Sequence, residues 1–174
     1  EDFYGSLGVI YKDNVDIIMC ESMSSIFEGS NASRVAKEFS ERVWLSWTNR
    51  GHQPDQLPST ETLSKAVDFS IEADVECTLI NCSHADMASN SIKELKRASR
   101  FGIFANSSKF KEVDLSIATK DVDAIHHLNS EQISAKEYAM IALSWAKEGA
   151  YVVGGCCGTT VEHTREIKLL MDSL

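Results

Sequence analysis

The sequence predicts an α/β fold built on a parallel sheet, and three observations carry that expectation. Five short apolar runs recur along the chain, helical patterns opened by hydroxyl residues lie between them, and the runs are apolar on both parities. A helix between two strands carries the chain back across the sheet, so successive strands run in the same direction. Strands covered on both faces lose the apolar–polar alternation of a half-exposed sheet.

The first run is Val15-Asp16-Ile17-Ile18-Met19-Cys20, short and bounded as a strand should be. Ser25 with Glu28 three residues later has the form of a capping box, and the helix it opens carries Phe27, Val35 and Phe39. In the second run, Val43-Trp44-Leu45-Ser46-Trp47-Thr48, the two tryptophans have opposite parity, so at least one packs beneath a helix. A helical pattern with Leu63, Ala66, Val67 and Ile71 on one face follows, then the third run, Val75-Glu76-Cys77-Thr78-Leu79-Ile80, and a helix with Ile92 and Leu95. Phe101-Gly102-Ile103-Phe104-Ala105 is the fourth run. The interval from Asn106 to Ile133 is rich in Ser, Lys and Asp, with a weak apolar stretch from Val113 to Ile117, and is expected to cross a strand end as a structured loop. Its His126-His127 pair lacks metal-like partners and reads as solvated. Ser134 with Glu137 is a second capping box, opening a helix with Tyr138, Ile141, Leu143 and Trp145 before the last run, Ala150-Tyr151-Val152-Val153-Gly154. No linker divides the chain, so residues 1–174 are expected to form a single domain.

Composition narrows the function. With 174 residues, 43% hydrophobic, 25% charged and two prolines, the chain is neither a disordered tail nor a small disulfide-stapled module. A net charge of −9 disfavours binding to nucleic acid or to anionic membranes, and Lys93, Lys96, Arg97 and Arg100 read as a solvated helix face. No apolar run reaches the roughly 20 residues of a membrane helix. Five cysteines, an odd number with two adjacent, do not make a disulfide framework. Free thiols suit a reducing compartment, and a cytoplasmic location is expected.

The placement of three thiols is informative. Cys82 directly follows the third run, and Cys156-Cys157 follow the last, within Val152-Val153-Gly154-Gly155-Cys156-Cys157-Gly158-Thr159-Thr160. The carboxyl ends of parallel strands are where catalytic groups collect, whether the sheet is open or closed. Glycines on both sides of the pair let the chain bend, so both sulfurs could converge with Cys82. Three convergent thiols suggest zinc, in a site whose fourth position is open to water or substrate. Two other readings compete. His84 could close a structural Cys₃His site, and the Gly154-Gly155 turn could instead cradle a phosphate with backbone amides. Cys20 and Cys77 lie inside strands and read as core.

The glycine–cysteine string, with Asn81-Cys82 upstream, resembles the zinc-binding signature of the homocysteine S-methyltransferase family. The likeness extends to Val15 through Cys20-Glu21-Ser22, which looks like the family's strand ending in Glu-Thr, and to Gly149-Ala150 before the last strand. Val161 replaces a usual proline and Phe104-Ala105-Asn106-Ser107 a usual Tyr-Pro-Asn-Ser, departures that bear on the substrate side more than on the metal.

The resemblance implies a (β/α)₈ barrel of which this chain covers about strands 4 to 8, with Phe3 to Tyr11 as the end of the preceding helix. Five units at about 31 residues each make roughly 156, close to the chain's length. By the same resemblance Cys82, Cys156 and Cys157 bind Zn²⁺, the thiol of homocysteine enters as fourth ligand, and that thiol takes a methyl group from a sulfonium or ammonium donor, giving methionine. Glu21 resembles the carboxylate that receives the substrate ammonium; its other reading is a first-turn helix acid near Ser25. The isolated chain is expected to be catalytically incomplete, needing the N-terminal half of the barrel or self-association to cover its open edges. A non-catalytic truncated barrel is the alternative from a different functional class.

Overall fold

The computed structural model describes residues 2–51, 53–110 and 130–173. In chain order the elements are α1 (Asp2–Tyr11), β1 (Ile18–Met23), α2 (Ile26–Ala36), β2 (Val43–Trp47), α3 (Leu63–Glu72), β3 (Cys77–His84), α4 (Ala85–Asn90), α5 (Ile92–Leu95), β4 (Phe101–Asn106), β5 (Ser108–Phe110), β6 (Ser130–Gln132), α6 (Ala135–Lys147), β7 (Val152–Gly155) and α7 (Val161–Met171). Five strands form one parallel sheet in the order β1-β2-β3-β4-β7, with β1 and β7 at its edges. The α/β class and all five expected strands are present. His126-His127 and the Val113–Ile117 stretch lie outside the described residues; the chain flanking that interval forms an antiparallel ribbon, Ser108–Phe110 against Ser130–Gln132, which the sequence had not signalled.

Register assigns the two faces. Paired residues such as Cys20 and Leu45, Trp47 and Ile80, and Ile80 and Ile103 point toward the helices and join Leu63, Val67, Leu95, Tyr138 and Trp145 in the core. The opposite face carries Met19, Trp44, Ser46, Leu79, Asn81, Phe104 and Val152, of which Met19, Trp44, Phe104 and Val152 are half-buried. Trp47 is the tryptophan beneath a helix: its indole N–H donates to Ser70 Oγ at 2.9 Å, and a Cβ on Gly29 would meet its ring at 2.5 Å. This close approach explains why α2 buries Gly29, Ala32, Ser33, Val35 and Ala36. Phe27, two positions before Gly29 and so on the far side of the helix, is 79% exposed.

Several boundaries shift. The first strand begins three residues later than expected and runs on to Met23, while the third continues through Cys82 to His84. Both extensions contain a bulge with a left-handed residue, Ser22 (φ 62°) in β1 and Cys82 (φ 50°) in β3, a conformation sequence patterning does not foresee for these side chains. The two capping boxes form by half. Ser25 and Ser134 accept from the backbone N–H of Glu28 and Glu137, but the Glu28 carboxylate turns to the N–H and hydroxyl of Ser24, and that of Glu137 to Lys109. The basic face is ion-paired: Lys96 with Glu148, Arg97 with Asp68 and Glu94, and Arg100 with Glu76.

Candidate metal centre

The sulfurs of Cys82, Cys156 and Cys157 come together at the carboxyl ends of β3 and β7, all three lying within 4.8 Å of one another. Strand alternation would send Cys82 to the helix side, since Asn81 before it faces the other way. The left-handed backbone at Cys82 re-aims its side chain, as bulges do. Cys156 and Cys157 sit on the turn after β7, held by the end of β4: Cys156 N–H donates to Ala105 O at 2.8 Å, Cys157 N–H to Asn106 Oδ1 at 3.1 Å, and Ser107 N–H to Cys157 O at 3.0 Å. Of the glycines expected to let this segment bend, Gly158 takes a positive φ (76°), whereas Gly154 is required for space, a Cβ there meeting the Phe104 ring at 2.7 Å. The buried Tyr138 hydroxyl points at the carbonyls of Ala105 (2.7 Å) and Gly154 (2.8 Å), bridging β4 and β7 beside the turn.

Two of the three sulfur–sulfur distances fit a tetrahedral thiolate site. Bonds of about 2.3 Å give a sulfur–sulfur edge near ~3.8 Å. Cys82–Cys157 at 3.9 Å and Cys156–Cys157 at 4.0 Å match that edge, while Cys82–Cys156 at 2.7 Å is about 1 Å shorter than it. All five cysteines are free thiols. Burial and the Cys156 sulfur beside it push the Cys82 thiol up to about 12, and burial with the neighbouring Cys156 raises Cys157. Cys157 is exposed, leaving the site one open side. Cys20 and Cys77 are buried in the strands, as expected, and burial raises them to about 11 and about 12.

His84 is not part of the cluster. Its Nδ1 meets Ser108 Oγ at 2.8 Å and its ring lies edge-on to Phe110, so among the described residues the cluster offers three candidate ligands rather than four. For the phosphate alternative, four of the amides after β7 are already committed: the N–H groups of Cys156, Cys157, Thr159 and Thr160 donate to Ala105 O, Asn106 Oδ1, Cys156 O and His163 Nδ1. Glu21 lies exposed at the end of β1 and accepts from Asn81 Nδ2 at 3.1 Å. Sequence reasoning missed the structural parts of Asn81 and Asn106. The available signal was an amide side chain at the end of an otherwise apolar strand, where a buried polar group needs partners.

Comparison with known proteins gives this geometry its context. The homocysteine S-methyltransferase family matches residues 1–171. The chain belongs to that family. Among its members, homocysteine S-methyltransferase YbgG of Bacillus subtilis (strain 168) is 26% identical over 162 residues, covering 91% of this chain and 48% of that protein. The homocysteine methyltransferase MmuM of Escherichia coli shares the fold in its apo form (TM-score 0.67, 17% identity, 97% of this chain and 57% of MmuM) and in its metallated form (TM-score 0.68, 17% identity, 97% and 51%). The chain thus spans about half the length of the family members it matches.

Proposed function

We propose that residues 1–174 are a single-domain, C-terminal portion of a homocysteine S-methyltransferase barrel, with the five parallel strands as its fourth to eighth. Cys82, Cys156 and Cys157 hold Zn²⁺ in this reading, and the observation that carries it is the meeting of three thiols from two strand ends with no fourth protein ligand among the described residues. When bound, zinc supplies a means of keeping a substrate thiol deprotonated at neutral pH, where a free thiol of pKa about 8.5 is mostly protonated. The chain's own residues set the geometry around it. The β4 end clamps the Cys156-Cys157 turn, the Cys82 bulge brings the third sulfur in, and exposed Cys157 marks the side from which homocysteine approaches. Glu21 accepts the substrate ammonium, and a sulfonium or ammonium donor completes the methyl transfer to give methionine. Free thiols fit a cytoplasmic setting, and no helix among the described residues is long and apolar enough to cross a membrane.

The test begins with elemental analysis of reduced, tag-free protein. Cys82→Ser is expected to lose most of the zinc while Cys77→Ser keeps it, and equal retention in both would remove the metal assignment. With the N-terminal half of the barrel supplied, methionine formation is then measured across methylated sulfonium and ammonium donors. Glu21→Gln should weaken homocysteine binding with zinc retained, and Cys157→Ser should abolish both metal and transfer. Full zinc with no methionine from any donor would favour a non-catalytic barrel.

A further inference from the structure

Four hydrogen bonds fill the carboxamide of Asn81, a side chain with no exposed surface. Its Oδ1 accepts from the Ser22 N–H at 3.1 Å and the Ser46 hydroxyl at 2.6 Å, and its Nδ2 donates to Glu21 Oε1 at 3.1 Å and Ser22 Oγ at 2.7 Å. The amide has one orientation. Flipped, its NH₂ would face the Ser22 N–H and its oxygen the Glu21 carboxylate. These partners sit on β1 and β2, so one side chain of β3 ties three strand ends together, and the residue after it is Cys82.

Glu21 is otherwise unsupported. Among the described residues Asn81 is its single hydrogen-bond donor, and no cation pairs with it. A glutamate on a strand end loses rotamer freedom when held, and a neutral donor holds it without cancelling its charge. Ser22, next in the chain, is locked in its left-handed conformation by both ends of the same amide.

We propose that Asn81 is a positioning residue for homocysteine recognition: its amide fixes Glu21 Oε1 at a set distance from the Cys82 ligand, so that the substrate's ammonium and thiol are received together. This rests on the reading of Glu21 and the thiol cluster given above. Losing a hydrogen bond to a charged group typically costs about tenfold or more, which sets the size of the effect sought.

The experiment uses Co²⁺ as the metal probe, because its thiolate charge-transfer band reports the ligand set. Wild type, Glu21→Gln, Asn81→Ala and Ser46→Ala are loaded and titrated with homocysteine and with 4-mercaptobutanoate, the same thiol acid without the amine. Asn81→Ala should keep the cobalt band and require about tenfold more homocysteine, with 4-mercaptobutanoate unchanged. Ser46→Ala, which removes one bond orienting the amide, should show the same pattern at about threefold. Homocysteine affinity unchanged in Asn81→Ala, or equal losses for both thiols, overturns the inference, and so does loss of cobalt from both Asn81→Ala and Ser46→Ala, which would place the amide in the fold alone. A wild-type chain that takes no cobalt, or whose band ignores homocysteine, overturns the metal reading and this inference with it. A wild-type response that Glu21→Gln abolishes and Asn81→Ala retains overturns this inference alone.

Discussion

At Gly158 the backbone turns with φ 76°, and a Cβ there would stand 2.6 Å from Ser107 Oγ. Gly158→Ala therefore combines left-handed strain with a clash at the segment that holds Cys157, and is expected to destabilise the protein by about 1–3 kcal/mol. Denaturant titration measures that loss, and metal analysis should show weaker zinc retention than in Gly51→Ala, whose φ is also positive but whose Cβ meets open space. The three clustered cysteines were legible as a group in the sequence because they follow the ends of apolar runs, and Cys20 and Cys77 were legible as core because they lie within such runs. Asn81 and Asn106 were not, since their importance depends on partners 59 and 51 residues away in the chain. His84, the competing fourth ligand by proximity in sequence, turns its ring to Ser108.

Among the elements, the amino ends of the strands are joined by Glu76, just before β3. Its carboxylate accepts from Arg42 Nε at 2.8 Å and Nη2 at 3.0 Å and from Arg100 Nη1 at 2.9 Å, while the Arg100 guanidinium stacks 4.8 Å from the Tyr151 ring. The hydrogen bond from Arg42 holds the Glu76 carboxyl below its ordinary range. A depressed carboxyl contributes stability that is present above the unfolded value, near 4.5, and is lost as pH falls through the lower folded one. The thermal midpoint of wild type should therefore drop more steeply on acidification below about pH 4.5 than that of Glu76→Gln, a difference that salt should reduce because the pair is partly exposed. Packing makes a second demand at this scale: Gly29→Ala pushes a methyl into Trp47 and should cost about 1–3 kcal/mol. The existence and alternation of the strands and helices were legible from the apolar runs and the hydroxyl caps. Strand ends were not, because the bulges at Ser22 and Cys82 are settled by hydrogen bonds between strands.

Among the described residues the sheet ends in two edge strands, β1 and β7, and has a face on which Met19, Trp44, Phe104 and Val152 are only half covered. Strand edges and apolar surface of this kind drive association, so sedimentation velocity of the isolated chain is expected to show self-association, relieved when the N-terminal half of the barrel is added. A compact monomer indifferent to that addition would argue against the barrel-portion reading. The repeated strand–helix unit was enough to expect the parallel sheet that the structure shows. The thiol cluster also acts on the molecule as a whole, because Cys82 and Cys156 are 74 residues apart in the chain. An ion held between them would be a removable cross-link: by loop-closure entropy it would penalise the unfolded chain by on the order of 4 kcal/mol, so chelation of a loaded protein should loosen β3 and β7 together and not the cysteine turn alone.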